Sequence, residues 1–173
     1  MKNSSVFVAG AAALLLAGCG SSLETSDCPR IGLLPDADRV TVFSGTGGQD
    51  VTDVLGTAKI VKVSGVCEVN EDGQIFVSLD VGLTAALGPT VPTQPLVLPY
   101  FVAVTDADEQ LLTKEPAQFT FRFDEEERRV QSKVGIDTFP MPGVGSFVKD
   151  EYTVLVGFQL TPNQLNYNRR SGN

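Results

Sequence analysis

The chain has 173 residues with 13 basic and 21 acidic side chains, no histidine and no tryptophan, for a formal net charge of −8. That length supports one domain with a real hydrophobic core. The carboxylate surplus works against nucleic acid and anionic lipid as partners, because both need Lys and Arg. The missing imidazole removes Ser-His-Asp and Cys-His nucleophiles and the common zinc and haem sites.

Lys2 supplies a positive charge, and Val6 to Ala17 form an apolar run. At about twelve residues the run has the length of a signal-peptide core, whereas a spanning helix needs about twenty. It closes on Leu16-Ala17-Gly18-Cys19, which resembles the bacterial lipobox. The resemblance implies a leader over residues 1–18, cleaved before Cys19, and thioether lipidation of Cys19. The competing reading is an ordinary secretory leader or a short anchor helix with a chance cysteine. Stable anchoring takes about two hydrophobic signals, which the two or three acyl chains of a lipidated cysteine supply. The expected partner at this end is therefore a membrane, held through lipid, and no other cofactor is expected. Residues 19–27, with Gly20, Ser21, Ser22 and Ser26, read as a flexible linker, and residues 28–173 as the domain. In lipoproteins of this kind an Asp directly after the lipidated cysteine favours inner-membrane retention. Gly20 stands there, which points to the periplasmic face of the outer membrane. Loss of the leader removes Lys2 and leaves 12 basic and 21 acidic side chains.

With Cys19 taken by lipid, Cys28 and Cys67 form an even pair in a compartment where disulfides persist, and they are expected to bridge. The rival reading is a pair of metal or redox thiols. It lacks a C-x-x-C spacing and any histidine.

Along the domain the apolar pattern has the period of strands separated by turn residues. Seven strands are predicted: Arg39 to Phe43, about Thr57 to Val69, Gln74 to Ala85, Val97 to Thr105, Leu111 to Phe123, about Val130 to Thr138, and Tyr152 to Leu160. In the third, Ile75, Val77, Leu79, Val81 and Leu83 alternate onto one face, with Ser78, Asp80 and Thr84 on the other. In the fifth, Phe119, Phe121 and Phe123 are expected in the core. The proline-rich stretch Gly88 to Pro95 separates the third strand from the fourth. After the last strand, Thr161 as a capping residue and Pro162 at the first helical position predict a short helix through about Arg169.

Seven closely spaced strands predict an all-β domain: a single two-sheet β-sandwich of immunoglobulin or fibronectin III-like architecture with a short C-terminal helix. A small closed β-barrel is the alternative. The cysteines sit too early for the usual immunoglobulin pair. Cys28-Pro29-Arg30-Ile31, Leu98-Pro99-Tyr100-Phe101-Val102-Ala103-Val104 and Val154-Leu155-Val156-Gly157-Phe158-Gln159-Leu160-Thr161-Pro162, together with the lipobox, resemble the uncharacterised envelope lipoproteins of alphaproteobacteria. The resemblance implies location and fold and carries no catalytic residue.

Carboxylate pairs such as Asp106 with Asp108, or Asp124 with Glu125, have the raw chemistry of a glycosidase, and Asp106, Asp108 and Glu109 could hold calcium weakly. All lie where turns are predicted, and acidic residues are ordinary there. Ser44-Gly45-Thr46-Gly47-Gly48 lacks the spacing of a phosphate loop and reads as a turn. Phe139, Met141, Val144 and Phe147 share a segment with Pro140, Pro142, Gly143 and Gly145. They are candidate partner contacts if exposed, or a cap on the sandwich if folded back. Tyr100, Tyr152 and Tyr167, with Asn163, Asn166, Asn168, Arg169 and Arg170, are candidates for a polar contact surface, against a solvated terminus as the plainer reading. The expectation is a non-enzymatic accessory or scaffold subunit that docks on an envelope membrane protein complex. A periplasmic carrier or chaperone for lipid or another apolar ligand is the alternative, and a carboxylate hydrolase the third.

Overall fold

The computed structural model describes residues 28–45, 49–72, 74–141 and 152–171, with Thr138 described by its backbone alone. Cys19 and its linker, and Val144 and Phe147, lie outside the described residues. Among the described residues eight strands and one α-helix follow in order: β1 (Arg30–Leu33), β2 (Arg39–Phe43), β3 (Val54–Val69), β4 (Ile75–Leu87), β5 (Leu96–Thr105), β6 (Leu111–Phe121), β7 (Arg129–Pro140), β8 (Thr153–Phe158) and α1 (Pro162–Ser171), with a short 3-10 turn at Val51–Asp53. They build a β-sandwich, as predicted. The first sheet has the order β1-β8-β5-β6 and the second β2-β3-β4-β7. All neighbours are antiparallel except β1 and β8, which run parallel.

The alternation read from the sequence builds the interior. From β4, Ile75, Val77, Leu79, Val81, Leu83 and Ala85 are buried. They meet Leu98, Tyr100, Val102 and Val104 of β5, Phe119 and Phe121 of β6, and Val154, Val156 and Phe158 of β8 in one cluster. Phe119 is central: it stacks on Tyr100 with ring centroids 3.7 Å apart and meets Phe158 edge-on at 6.1 Å. Each such aromatic or branched side chain contributes about 1.5–3 kcal/mol when fully buried. Phe123 falls beyond the end of β6, yet it packs half-buried against the same cluster.

The strand that the sequence reading passed over is β1. Its four residues, Arg-Ile-Gly-Leu, are too few for a period of two to show. It is held by pairing with β8 and by the neighbouring bridge: Cys28, two residues before β1, is bonded to Cys67 on β3, with the Cα atoms 5.7 Å apart. The bridge therefore joins the two sheets. Gly65 makes room beside it, because a Cβ there would come within 2.7 Å of Ile31 Cδ1 and 2.6 Å of the Ser78 carbonyl oxygen.

Two register shifts set which residues point inward. In β3 the pairing with β4 skips from Ile60 to Lys62, so Val61 is an extra residue. Before it the buried positions are even-numbered, Ala58 and Ile60; after it Val63 and Cys67 pack against the core. A β-bulge of this kind reverses the inward phase. In β7, Phe139 pairs with Val77 and Ile136 with Leu79, so a second extra residue turns Phe139 inward.

The end of β4 is knotted by Gly88. Its N–H donates to the Leu55 carbonyl at 3.0 Å, and its carbonyl accepts from Val91 N–H at 3.3 Å and from the Arg128 guanidinium. A Cβ at this position would lie 1.6 Å from the Val54 carbonyl oxygen. Gly88→Ala is therefore expected to cost about 3 kcal/mol, since backbone must move to relieve the overlap. A urea midpoint within a few tenths of a molar of the wild type would contradict it.

Candidate functional site

The strand register defines two ends of the sandwich. The Cys28–Cys67 bridge, the 70–74 turn between β3 and β4 and the 106–110 turn between β5 and β6 share one end. The loop before β3, the Gly88 to Pro95 stretch, the 124–127 turn and α1 belong to the other. At the bridge end one Asp and one Asn side chain cap the turns. Asp106 Oδ1 accepts from Asp108 N–H at 3.0 Å and from Gln110 N–H at 2.8 Å, and Asn70 Oδ1 accepts in the same way from Asp72 at 3.1 Å and Gln74 at 2.8 Å. Such side-chain oxygens cap turns.

At the far end, α1 covers the outer edge of β2. Thr161 and Gln164 cap the helix reciprocally: Gln164 N–H donates to Thr161 Oγ1 at 3.3 Å, and Thr161 N–H to Gln164 Oε1 at 2.9 Å. The Gln164 amide donates to the Thr41 carbonyl at 3.4 Å, and Asn168 Nδ2 donates to the Asp36 and Arg39 carbonyls, each at 2.7 Å. Arg39 returns a bond to the Asn168 carbonyl at 3.0 Å, and Tyr167 meets Phe43 edge-on at 5.0 Å. Asn168, expected on an exposed polar surface, is instead 1 % exposed. Asn168→Leu leaves the Asp36 and Arg39 carbonyls without their donor and is expected to cost about 2 kcal/mol; a neutral effect on the denaturation midpoint would show that α1 is not held this way.

The other candidate contacts divide. Met141 is 4 % exposed, its N–H donating to the Ile75 carbonyl at 2.8 Å, and Phe139 packs against the core. Both belong to the folded-back reading, because the bulge in β7 turns Phe139 inward and Met141 is buried. Tyr100, also expected in a polar surface, is buried, and that burial pushes its hydroxyl pKa up from the usual value. Arg169 and Arg170 stay exposed, Arg169 Nε lying 3.4 Å from Asp36 Oδ2 and Arg170 donating to Gln49 Oε1 at 3.2 Å.

Sequence reading missed a different surface, the outer face of the second sheet. The rows across it follow from the register: Thr41, Thr57, Ala86 and Arg129; then Arg39, Lys59, Thr84 and Gln131; then Lys62, Gly82 and Lys133. Small residues of β4 form a floor between the long side chains of β3 and β7. Five of the chain's 13 cations stand here, although the whole chain is acidic. Two of the five meet carboxylates: Lys133 Nζ lies 3.0 Å from Asp80 Oδ2 and Arg39 Nη1 3.6 Å from Asp38 Oδ1. An exposed pair such as the first contributes at most about 1 kcal/mol and is screened by salt. The signal was present only as scattered cations of β2, β3 and β7, Lys59 and Lys62 being out of step because of the bulge between them, and only pairing to β4 shows that they share a face.

Among the described residues no cluster of three or more metal-ligating side chains gathers, and no helix is long and apolar enough to cross a membrane. No family model, curated protein or solved structure matches the chain, so the site's meaning rests on its own geometry.

Proposed function

We propose that the chain is a lipid-tethered protein of the bacterial envelope, anchored through Cys19, whose β-sandwich serves as a non-enzymatic accessory subunit docking on an envelope membrane protein complex. The observation that carries this reading is the aromatic packing between the sheets among the described residues. Tyr100, Phe119 and Phe158 interlock between the sheets, which favours recognition at the surface over a ligand carried inside. The bridge supports it further, because it fastens the chain to both sheets nine residues after the tether's attachment point. In this arrangement the acidic turns at the bridge end lie toward the membrane. The cationic rows lie farther out, Lys59 being eight residues along β3 from Cys67, or about 25 Å of strand.

The test is mild-detergent extraction of the native protein from its own membranes, then sizing and mass spectrometry. A stoichiometric protein partner is the expected result. A lone protein carrying lipid would overturn docking in favour of a carrier. Cys19→Ser should release the protein to the soluble fraction with its melting temperature unchanged, and retention in the membrane fraction would remove the tether from the reading.

A further inference from the structure

We propose that β7 is an acceptor strand: an extended segment of a partner protein, alternating acidic with apolar residues, adds to its open edge as a fifth strand of the second sheet. The inference rests on the docking reading and names the chemistry of the partner.

Among the described residues four strands stand at sheet edges, and an uncovered edge is a template for pairing. Three are blunted. β1 has only four residues, β2 has α1 bonded to its edge carbonyls, and β6 carries Pro116 at its centre between charged neighbours Lys114 and Glu115. β7 is different: it runs for twelve residues with proline only at the last, and among the described residues it pairs with β4 alone.

The direction of its backbone groups can be fixed. Leu87 N–H donates to the Arg128 carbonyl at 2.9 Å, so even-numbered residues face β4 as far as the bulge after Ile136. Arg129, Gln131, Lys133 and Gly135 therefore turn their N–H and C=O groups to the open side. The two side-chain faces of the same stretch differ. Arg129, Gln131 and Lys133 are exposed on the outer face, in line with Lys59 and Lys62. On the inner face Val130, Val134 and Ile136 pack against the core but remain only half-buried. A strand laid alongside would gain main-chain bonds from the edge, cover the half-buried row with its apolar residues, and set its carboxylates beside the cations. Charge also argues against a second copy, since pairing β7 with β7 about its middle brings Lys133 beside or diagonal to its own counterpart.

The experiment uses the full lipidated chain in neutral detergent micelles and a fluorescein-labelled eight-residue peptide alternating valine and glutamate, read by anisotropy. Binding is expected, weakening as salt rises. Replacing both Arg129 and Lys133 by Glu should lower affinity about tenfold or more. Gln131→Pro removes an N–H that the fold itself does not use, so it should abolish binding while the melting temperature holds. The same peptide N-methylated at alternate backbone nitrogens should also fail to bind. Wild-type affinity for that methylated peptide, or in the proline variant, would overturn strand addition, as would equal binding of a valine-lysine peptide. So would tighter attachment to vesicles of anionic phospholipid, through the same two cations, than to the peptide. If native extraction with Gln131→Pro recovers the partner in wild-type amount, docking stands and strand addition falls. If the wild type recovers none, docking itself falls.

Discussion

Deleting Val61 should leave a chain with no cooperative unfolding transition, and either two free thiols or a core without Ile60, although Val61 itself is 54 % exposed. The reason is phase. Val61 is the extra residue that carries the inward face of β3 from even to odd numbers, and a one-residue slip moves every later side chain to the opposite face. Without it, either Val63 and Cys67 turn to solvent or Ala58 and Ile60 do. In the first case the bridge cannot close, since its sulfur would leave the space between the sheets. In the second, Ile60, fully buried, is lost to the core. Val61→Ala keeps the extra residue and should change stability by less than about 0.5 kcal/mol. Thiol titration together with a urea melt separates the two variants, and a deletion that still oxidises and melts like wild type would show that the bulge is not what aims Cys67.

The second large effect belongs to the bridge. Cys67→Ser or Cys28→Ser should lower stability by about 4 kcal/mol, the chain-entropy estimate for closing a loop of this size, over a sequence separation of 39. The loss should show on β1 first. That strand has four residues, and its further support comes from β8 and from contact across to β3. Hydrogen exchange should report early opening of Arg30–Leu33 in the serine variants while β4 and β5 stay protected. Uniform weakening of all strands would mean that the bridge acts only on the unfolded chain.

How far these features could be read in advance depends on length and period. Ile75 to Leu83 announced β4 because thirteen residues leave many repeats to see, and the phenylalanines of β6 announced its buried end. β1 left no such record, its four residues being too few for a period to show. The pairing of Cys28 with Cys67 followed from counting, but that it would span the sheets did not, since sheet membership is a matter of long-range pairing. The bulge was faintly written: Ile60 and Val61 are adjacent, and the apolar positions change parity after them. Asn168 looked like one of several polar residues on a terminal helix, and nothing local marks it as the one that reaches the Arg39 carbonyl of β2 and the Asp36 carbonyl ahead of it. The cationic face was hidden for the same reason, because β3 and β7 contribute to it from opposite sides of β4.

In the tethered arrangement proposed above the chain would be pulled from its N-terminus, and the place of the bridge decides where that load would go. A pull arriving before residue 28 would otherwise act on β1, whose four-residue parallel pairing with β8 is the weakest join in the first sheet. Through Cys28 and Cys67 the force passes directly into β3, which shares thirteen paired positions with β4. Stretched from that side, the oxidised domain should yield by shearing its longest ladder, whereas the reduced one should shed β1 at far lower force.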